Sequence, residues 1–88
     1  MLTKERLERV LRELGVSPLD VRVEGDFGHF VGFLVSPAFR GVDEGTRQAR
    51  VWGYLLGTLT DFERRDVEFV FTSTPEEMAA LGGVGTHA

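Results

Sequence analysis

The sequence has 88 residues, enough for one domain, because a second fold would need about 50 residues of its own. Its 42% apolar and 27% charged residues are close to the globular average, which excludes a largely disordered or fibrous chain. The lack of cysteine excludes disulfides, thiolate metal sites and thiol catalysis, and the net charge of −4 disfavours broad attraction to nucleic acid. Since no apolar run is long enough for a membrane span or a signal peptide, we expect a cytoplasmic protein without membrane association.

The chain begins with a predicted helix and a predicted strand. Thr3 is a candidate N-cap, and Gly15 stands where a helix often ends in the left-handed conformation. The residues that form one apolar stripe at helical spacing are Leu7, Val10, Leu11 and Leu14. Alternation of apolar and charged residues over 19–24 then predicts a half-buried strand. Its inward residues would be Leu19, Val21 and Val23.

A second strand and a second helix follow. Residues 30–35 are apolar on both faces apart from Gly32, which predicts a central strand covered on one side by helices. After a loop over residues 36–41, a second helical stripe consists of Val51, Trp52, Leu55, Leu56 and Leu59. Asp43 or Thr46 would cap this helix. We interpret Gly53 and Gly57 as points where the helix packs closely on the sheet or on another helix.

The last part of the chain predicts a third strand and a short helix. Residues 61–66 form a polar connection anchored by Phe62, and alternation over 67–72 predicts a strand whose buried face includes Phe69 and Phe71. Thr74 is followed by proline and, at the third position, by Glu77, which is the pattern of a capping box. We therefore predict one domain over residues 1–81 and a flexible C-terminal tail over 82–88. The residues expected in the core include Leu7, Leu11, Leu14, Val21, Val35, Val51, Leu55, Phe69 and Phe71.

The residues carry no recognisable catalytic or phosphate-binding motif. Ser36 and Ser73 lack the glycine context of a nucleophile elbow, and neither glycine-rich phosphate pattern occurs. The acid pairs at 43–44 and 76–77 stand at helix starts, where they complement the helix dipole. We therefore predict a protein without enzymatic activity.

His29 is the one histidine within the predicted domain, since His87 lies in the tail. A single histidine without cysteine does not complete a metal site from one chain, so any metal would need ligands from a partner. The alternative is that His29 is a turn residue that bonds to the backbone.

Several residues from the second strand to the second helix stand in a specific order and spacing. They are His29, Phe30, Val35, Ser36, Phe39, Gly41, Arg47, Val51 and Trp52. This pattern resembles the signature of the BolA family, and residues 71–78 are similar to the family's closing motif. The resemblance covers about residues 3–81. It implies the BolA-like fold, a class II KH-like, two-layer α+β sandwich in the order α-β-β-α-β-α, with a three-stranded mixed sheet and helices on one face.

The resemblance also implies a function, from which this sequence departs at several positions. In family members that share a [2Fe–2S] cluster with a monothiol glutaredoxin, a histidine after the helix arginine is implied as a ligand, and here that residue is Gln48. The loop over residues 25–28 is shorter than in relatives, and Val42 replaces a common lysine or arginine. The resemblance thus implies a partner in iron–sulfur cluster trafficking, with His29 as the remaining imidazole. We expect the isolated chain to bind no cofactor.

Three functions remain open at this point. In the first, the chain binds a glutaredoxin or another assembly factor through His29 and the exposed side of residues 40–50. In the second, it is a nucleic-acid-binding transcriptional regulator of a stress response, and its basic residues are offset by neighbouring acids. In the third, it is a structural module whose phenylalanine-rich strands pair between chains as a homodimer. The candidate contact residues for a partner or a nucleic acid are Arg40, Arg47, Gln48 and Arg50.

Overall fold

Three strands form one mixed sheet in a computed structural model that describes the backbone of residues 1–86 and the side chains of residues 1–81. The elements in chain order are α1 (Lys4–Arg12), β1 (Asp20–Asp26), β2 (His29–Val35), a 3-10 turn (Pro37–Phe39), α2 (Glu44–Thr58), α3 (Asp61–Arg64), β3 (Val67–Ser73) and α4 (Pro75–Thr86). The strand order is β1-β2-β3, with β1 antiparallel and β3 parallel to β2. The predicted α+β fold with a mixed sheet and a central second strand is therefore confirmed.

The core lies between one face of the sheet and the helices α1 and α2. Gly32 of β2 faces α1 so closely that a Cβ there would lie 3.1 Å from Leu11 Cδ1 and 3.4 Å from the methyl groups of Val70. Glycine therefore allows the helix to approach the centre of the sheet. The buried apolar residues of this core include Leu7, Val10, Leu11, Leu14, Val23, Phe30, Leu34, Val51, Leu55 and Val70.

The first helix agrees with its sequence pattern, except that it ends at Arg12, so that Leu14 and Gly15 follow it. The Thr3 hydroxyl accepts a hydrogen bond from the Arg6 amide at 3.1 Å, and Gly15 has a φ of +91°. All four residues of the predicted stripe are buried. Of the predicted inward residues of the first strand, Val23 is fully buried, while Val21 and Leu19, which directly precedes β1, are partly buried against the core.

The predicted face of β3 is wrong. Phe30 pairs with Val67 but Val31 pairs with Phe69, so Glu68 is an extra residue in β3 and forms a bulge. Because side chains alternate along a strand, one extra residue reverses the faces of all residues that follow it. Val70 and Thr72 are therefore buried, whereas the predicted core residues Phe69 and Phe71 are 38% and 47% exposed. Val35, on the same side as these rings, is only half-buried.

In the second half of the chain, Asp43 is confirmed as the N-cap of α2, while several other expectations are corrected. Gly53 and Gly57 lie on the exposed side of this helix, where an added Cβ would meet no atom within 4 Å, so close packing does not explain them. Leu56 is exposed as well. Phe62 does not anchor the connection to the core, because it is 73% exposed. It lies on the short helix α3, which the sequence pattern did not predict.

The capping box of α4 is confirmed. The Glu77 amide donates to Thr74 Oγ1 at 3.1 Å, and the Thr74 amide donates to Glu77 Oε1 at 2.7 Å. The backbone of α4 continues past Leu81, where the domain was expected to end. The flexibility expected for residues 82–88 stays a prediction, and His87 lies outside the described residues.

We expect Thr74→Ala to lower the free energy of unfolding by about 0.5–2 kcal/mol, because it removes the acceptor for the Glu77 amide. Urea denaturation followed by circular dichroism would measure this change. Thr58→Ala is the matched control: the Thr58 hydroxyl is exposed and bonds only to Tyr54 O within its own helix. Equal midpoints for Thr74→Ala and the wild type would contradict the role of the box.

The ion pair between α1 and α3 should make stability depend on pH. Hydrogen bonds from the Arg6 guanidinium and from the Thr60 amide lower the pKa of Glu63 from its usual 4.5 to about 2. Since the pKa of Glu63 is lower in the folded state, the ion pair stabilises the fold fully above pH 4.5. This stabilisation is lost as the pH falls towards 2. The difference in unfolding midpoint between wild type and Glu63→Gln should therefore shrink over that interval. A constant difference from pH 7 to pH 2 would contradict the assignment.

Candidate functional site

His29 occupies an exposed position at the start of β2. Its side chain is 72% exposed, and its Nδ1 atom lies 3.5 Å from Glu68 Oε1 at the bulge of β3. By strand alternation it shares the sheet face of Val31 and Phe33, opposite the helices. The imidazole is therefore outside the core and accessible to a partner.

Arg47 is not a surface contact residue, contrary to the sequence interpretation. Its side chain is 7% exposed and donates to three backbone carbonyl oxygens and to a carboxylate. Nε bonds to Val42 O at 2.7 Å, and Nη2 bonds to Phe39 O at 2.9 Å. Nη1 bonds to Thr72 O at 3.3 Å and to Glu77 Oε1 at 2.9 Å. Arg47 thus joins the loop before α2, the end of β3 and the start of α4.

Glu77, the carboxylate that accepts a hydrogen bond from Arg47, belongs to the capping box of α4. Hydrogen bonds from Arg47 and from the Thr74 amide keep the pKa of Glu77 below its usual value. Glu77 therefore remains ionised at neutral pH and neutralises the buried guanidinium. This arrangement satisfies the charge of Arg47 within the protein.

The Gln48 side chain also forms hydrogen bonds within the protein. Its Nε2 donates to Val70 O at 2.9 Å and to Glu44 Oε1 at 3.0 Å, while its Oε1 accepts from Trp52 Nε1 at 3.1 Å. Because β3 is an edge strand, these bonds and the Arg47 bond to Thr72 O cover part of its outer edge. The half-buried Gln48 therefore fixes α2 against the sheet, whereas His29 contacts Glu68 on the other side of β3.

Arg40 and Arg50 are the exposed members of the predicted contact set. Arg40 forms an ion pair with Glu76, and its hydrogen bond lowers the pKa of that carboxyl. Arg50 donates to Gly15 O at 3.4 Å. Of the three arginines, two are therefore matched by acids of α4, so the local positive charge is smaller than the sequence indicates.

Arg50 also lines a cleft that the sequence analysis did not identify. The cleft measures about 450 Å³ and lies between the loop after α1, the 3-10 turn and the first half of α2. Its lining residues are Gly15, Val16, Ser17, Ala38, Phe39, Val42, Thr46, Arg47 and Arg50. These segments are distant in sequence, so no local motif could have predicted the cleft.

The described residues offer few ligands for a metal ion. Within the part of the chain that the structure describes, no group of three histidine or acidic side chains is placed to bind an ion. The sequence also contains no cysteine. A [2Fe–2S] cluster therefore does not fit this chain alone, and the exposed His29 can supply at most one ligand to a cluster held by another protein.

The comparison with solved structures agrees with the resemblance at the level of the fold. The chain is similar to the crystal structure of a bol-like protein from Babesia bovis, with a TM-score of 0.58 and 23% sequence identity over 93% of this chain and 95% of that chain. Neither a scan of family profiles nor a search of curated proteins gives a significant match. None of the helices in the described residues is long and apolar enough to cross a membrane. The BolA-like fold predicted from sequence is thus confirmed.

Proposed function

We propose that this chain, which has a BolA-like fold, is a non-enzymatic partner protein in iron–sulfur cluster trafficking. Its partner would be a monothiol glutaredoxin, and His29 would complete the coordination of a [2Fe–2S] cluster that the partner holds. The observation that supports this proposal is the exposed imidazole of His29, which the core does not use.

The chemistry of the ligands supports a shared cluster rather than a resident one. Thiolates are the usual ligands of [2Fe–2S] clusters, and imidazole replaces them in some centres. This chain has no thiol, so the sulfur ligands must come from the partner. Gln48 does not contribute, because its amide is bonded to Val70 and Trp52.

Nucleic-acid binding is the weaker alternative. Binding to nucleic acid depends on lysine and arginine side chains that can neutralise phosphates. Arg47 is buried and bonded to Glu77, and Arg40 is paired with Glu76. The net charge of −4 adds a long-range repulsion.

Anaerobic reconstitution with a monothiol glutaredoxin tests the proposal. The mixture should develop a visible circular dichroism spectrum that differs from that of the glutaredoxin alone, whereas this chain alone should show none. His29→Ala should lower the yield or the lifetime of the shared cluster, because it removes the ligand. His87→Ala is the matched control and should have no effect. Identical spectra for the wild type and His29→Ala would reject the role of His29.

A further inference from the structure

The sheet face opposite the helices carries an uncovered apolar surface. We call it the open face and define it by Val31, Phe33, Val35, Phe69 and Phe71. Phe69 and Phe71 reach it because the bulge at Glu68 reverses the second part of β3. The helices α1 and α2 cover the opposite face. Among the described side chains, Met78 of α4 reaches one end of the open face beside Phe33 and Val35, while Phe69 and Phe71 remain exposed.

The aromatic side chains of the open face contact one another in a fixed arrangement. The ring centroids of Phe33 and Phe71 lie 5.4 Å apart in a stacked pair, and those of Phe69 and Phe71 lie 4.8 Å apart in an edge-to-face pair. The Arg22 guanidinium lies 4.6 Å from the centroid of Phe33. Contacts of this kind restrict the rings before any partner arrives, which lowers the entropy cost of binding.

The charges around the open face determine which occupants are compatible with it. Asp20, Glu24 and Glu68 are exposed at its border. The Arg22 guanidinium lies 3.3 Å from Glu24 Oε2, and His29 Nδ1 lies 3.5 Å from Glu68 Oε1. A second copy of the chain would place the same excess of carboxylates against this border. Phosphates of a nucleic acid would be repelled in the same way. A cationic partner would be attracted.

A shallow pocket at one end of the open face is lined by both apolar side chains and a carboxylate. It measures about 140 Å³ and lies between β1, β2 and the first turn of α4. Its residues are Asp20, Val21, Arg22, Phe33, Val35 and Met78. The apolar members can receive an apolar side chain, and the Asp20 carboxylate lies where it can meet a neighbouring cation.

From these observations we infer that the open face docks a segment of another protein in which apolar side chains are flanked by lysine or arginine. The apolar side chains lie on Phe33, Phe69 and Phe71, and the cations pair with Asp20, Glu24 and Glu68. This inference does not depend on an iron–sulfur cluster or on His29 as a ligand.

The test uses the full chain, labelled with ¹⁵N, and an amphipathic peptide with leucine on one face and lysine on the other. The control peptide has glutamate in place of every lysine. On titration with the lysine peptide, the amide shifts that change should cluster on the strands and include Phe33 and Phe71. The glutamate peptide should cause no such changes. This mapping uses the wild-type protein, so it does not depend on the folding of any variant.

Variants then separate the open face from general attraction between opposite charges. Phe71→Ser and Glu24→Lys should each weaken the binding of the lysine peptide about tenfold, corresponding to about 1.4 kcal/mol. Their matched controls are Phe62→Ser and Glu13→Lys, which change an exposed phenylalanine and an exposed glutamate elsewhere. Both controls should retain the wild-type affinity within about twofold.

Four results would overturn the inference. The first two are no binding of the lysine peptide at 1 mM and shift changes that map to the helices instead of the sheet. A homodimer in sedimentation equilibrium that Phe71→Ser dissociates would assign the face to a second copy. Tighter binding of single-stranded oligothymidine than of the peptide, with the same shift changes, would assign it to nucleic acid.

Discussion

Replacing Arg47 with methionine should lower the free energy of unfolding by about 3–5 kcal/mol, because the buried guanidinium donates to three backbone carbonyl groups and to the half-exposed Glu77 carboxylate. Methionine preserves much of the length and the apolar stem but removes every donor. The carbonyl groups of Phe39, Val42 and Thr72 would each lose a bond. The Glu77 carboxylate would lose its cation. Because these partners belong to three different segments, the substitution should loosen the loop before α2, the end of β3 and the start of α4.

Chemical denaturation of the two proteins measures this effect. Arg50→Met is the matched control, because it changes an exposed arginine of the same helix with a single bond of 3.4 Å to Gly15 O. We expect the control to change the free energy of unfolding by no more than about 0.5 kcal/mol. Arg47→Lys should be only a partial rescue, since one ammonium group cannot reproduce the planar, branched geometry of the guanidinium. If Arg47→Met were as stable as Arg50→Met, the buried network would not stabilise the fold.

The burial of Arg47 illustrates what the sequence could not predict about the site. Along the chain it is one of several arginines near a helix start, and its neighbours Asp43 and Glu44 indicate a solvated surface. Its partners Thr72 and Glu77 are 25 and 30 residues away. Only the return of β3 and α4 towards α2 brings them together. A resemblance can mark such a residue as characteristic, but it does not distinguish a structural role from a binding role.

Features that depend on neighbouring residues were predictable. The stripe of α1, with its cap at Thr3, and the box from Thr74 to Glu77 each follow from contacts three or four residues apart. The faces of β3 were not predictable in this way. The alternation of Val67, Phe69 and Phe71 is the same with or without a bulge, and the bulge exists only in the pairing with β2.

In the candidate site, the position of His29 was predictable from the sequence, whereas the contacts of Gln48 were not. His29 stands out in sequence because the domain has no other histidine, and its position before an apolar strand correctly places it at a strand start. Gln48 was identified only by comparison with a family pattern. Its bonds to Val70 and Trp52 depend on how α2 lies against β3, which no local pattern encodes.

Leu55→Ala and Phe69→Ala should differ strongly in stability, although both residues were expected in the core. Leu55 is fully buried between α2 and the sheet, so its truncation should leave a cavity and cost about 2–5 kcal/mol. Phe69 is 38% exposed and touches Phe71 edge to face. Its truncation should cost about 1 kcal/mol, the scale of a single aromatic pair.

Thermal and chemical unfolding of the two variants at several protein concentrations tests this contrast. Phe27→Ala is the control for the general effect of removing an exposed ring, because Phe27 lies in the turn between β1 and β2 and is 74% exposed. If Phe69→Ala were as costly as Leu55→Ala at every concentration, β3 would present Phe69 to the core and the bulge at Glu68 would be wrong. If the large cost arose only at high concentration, a second copy would cover the open face. That result would contradict the cationic partner inferred from Asp20, Glu24 and Glu68.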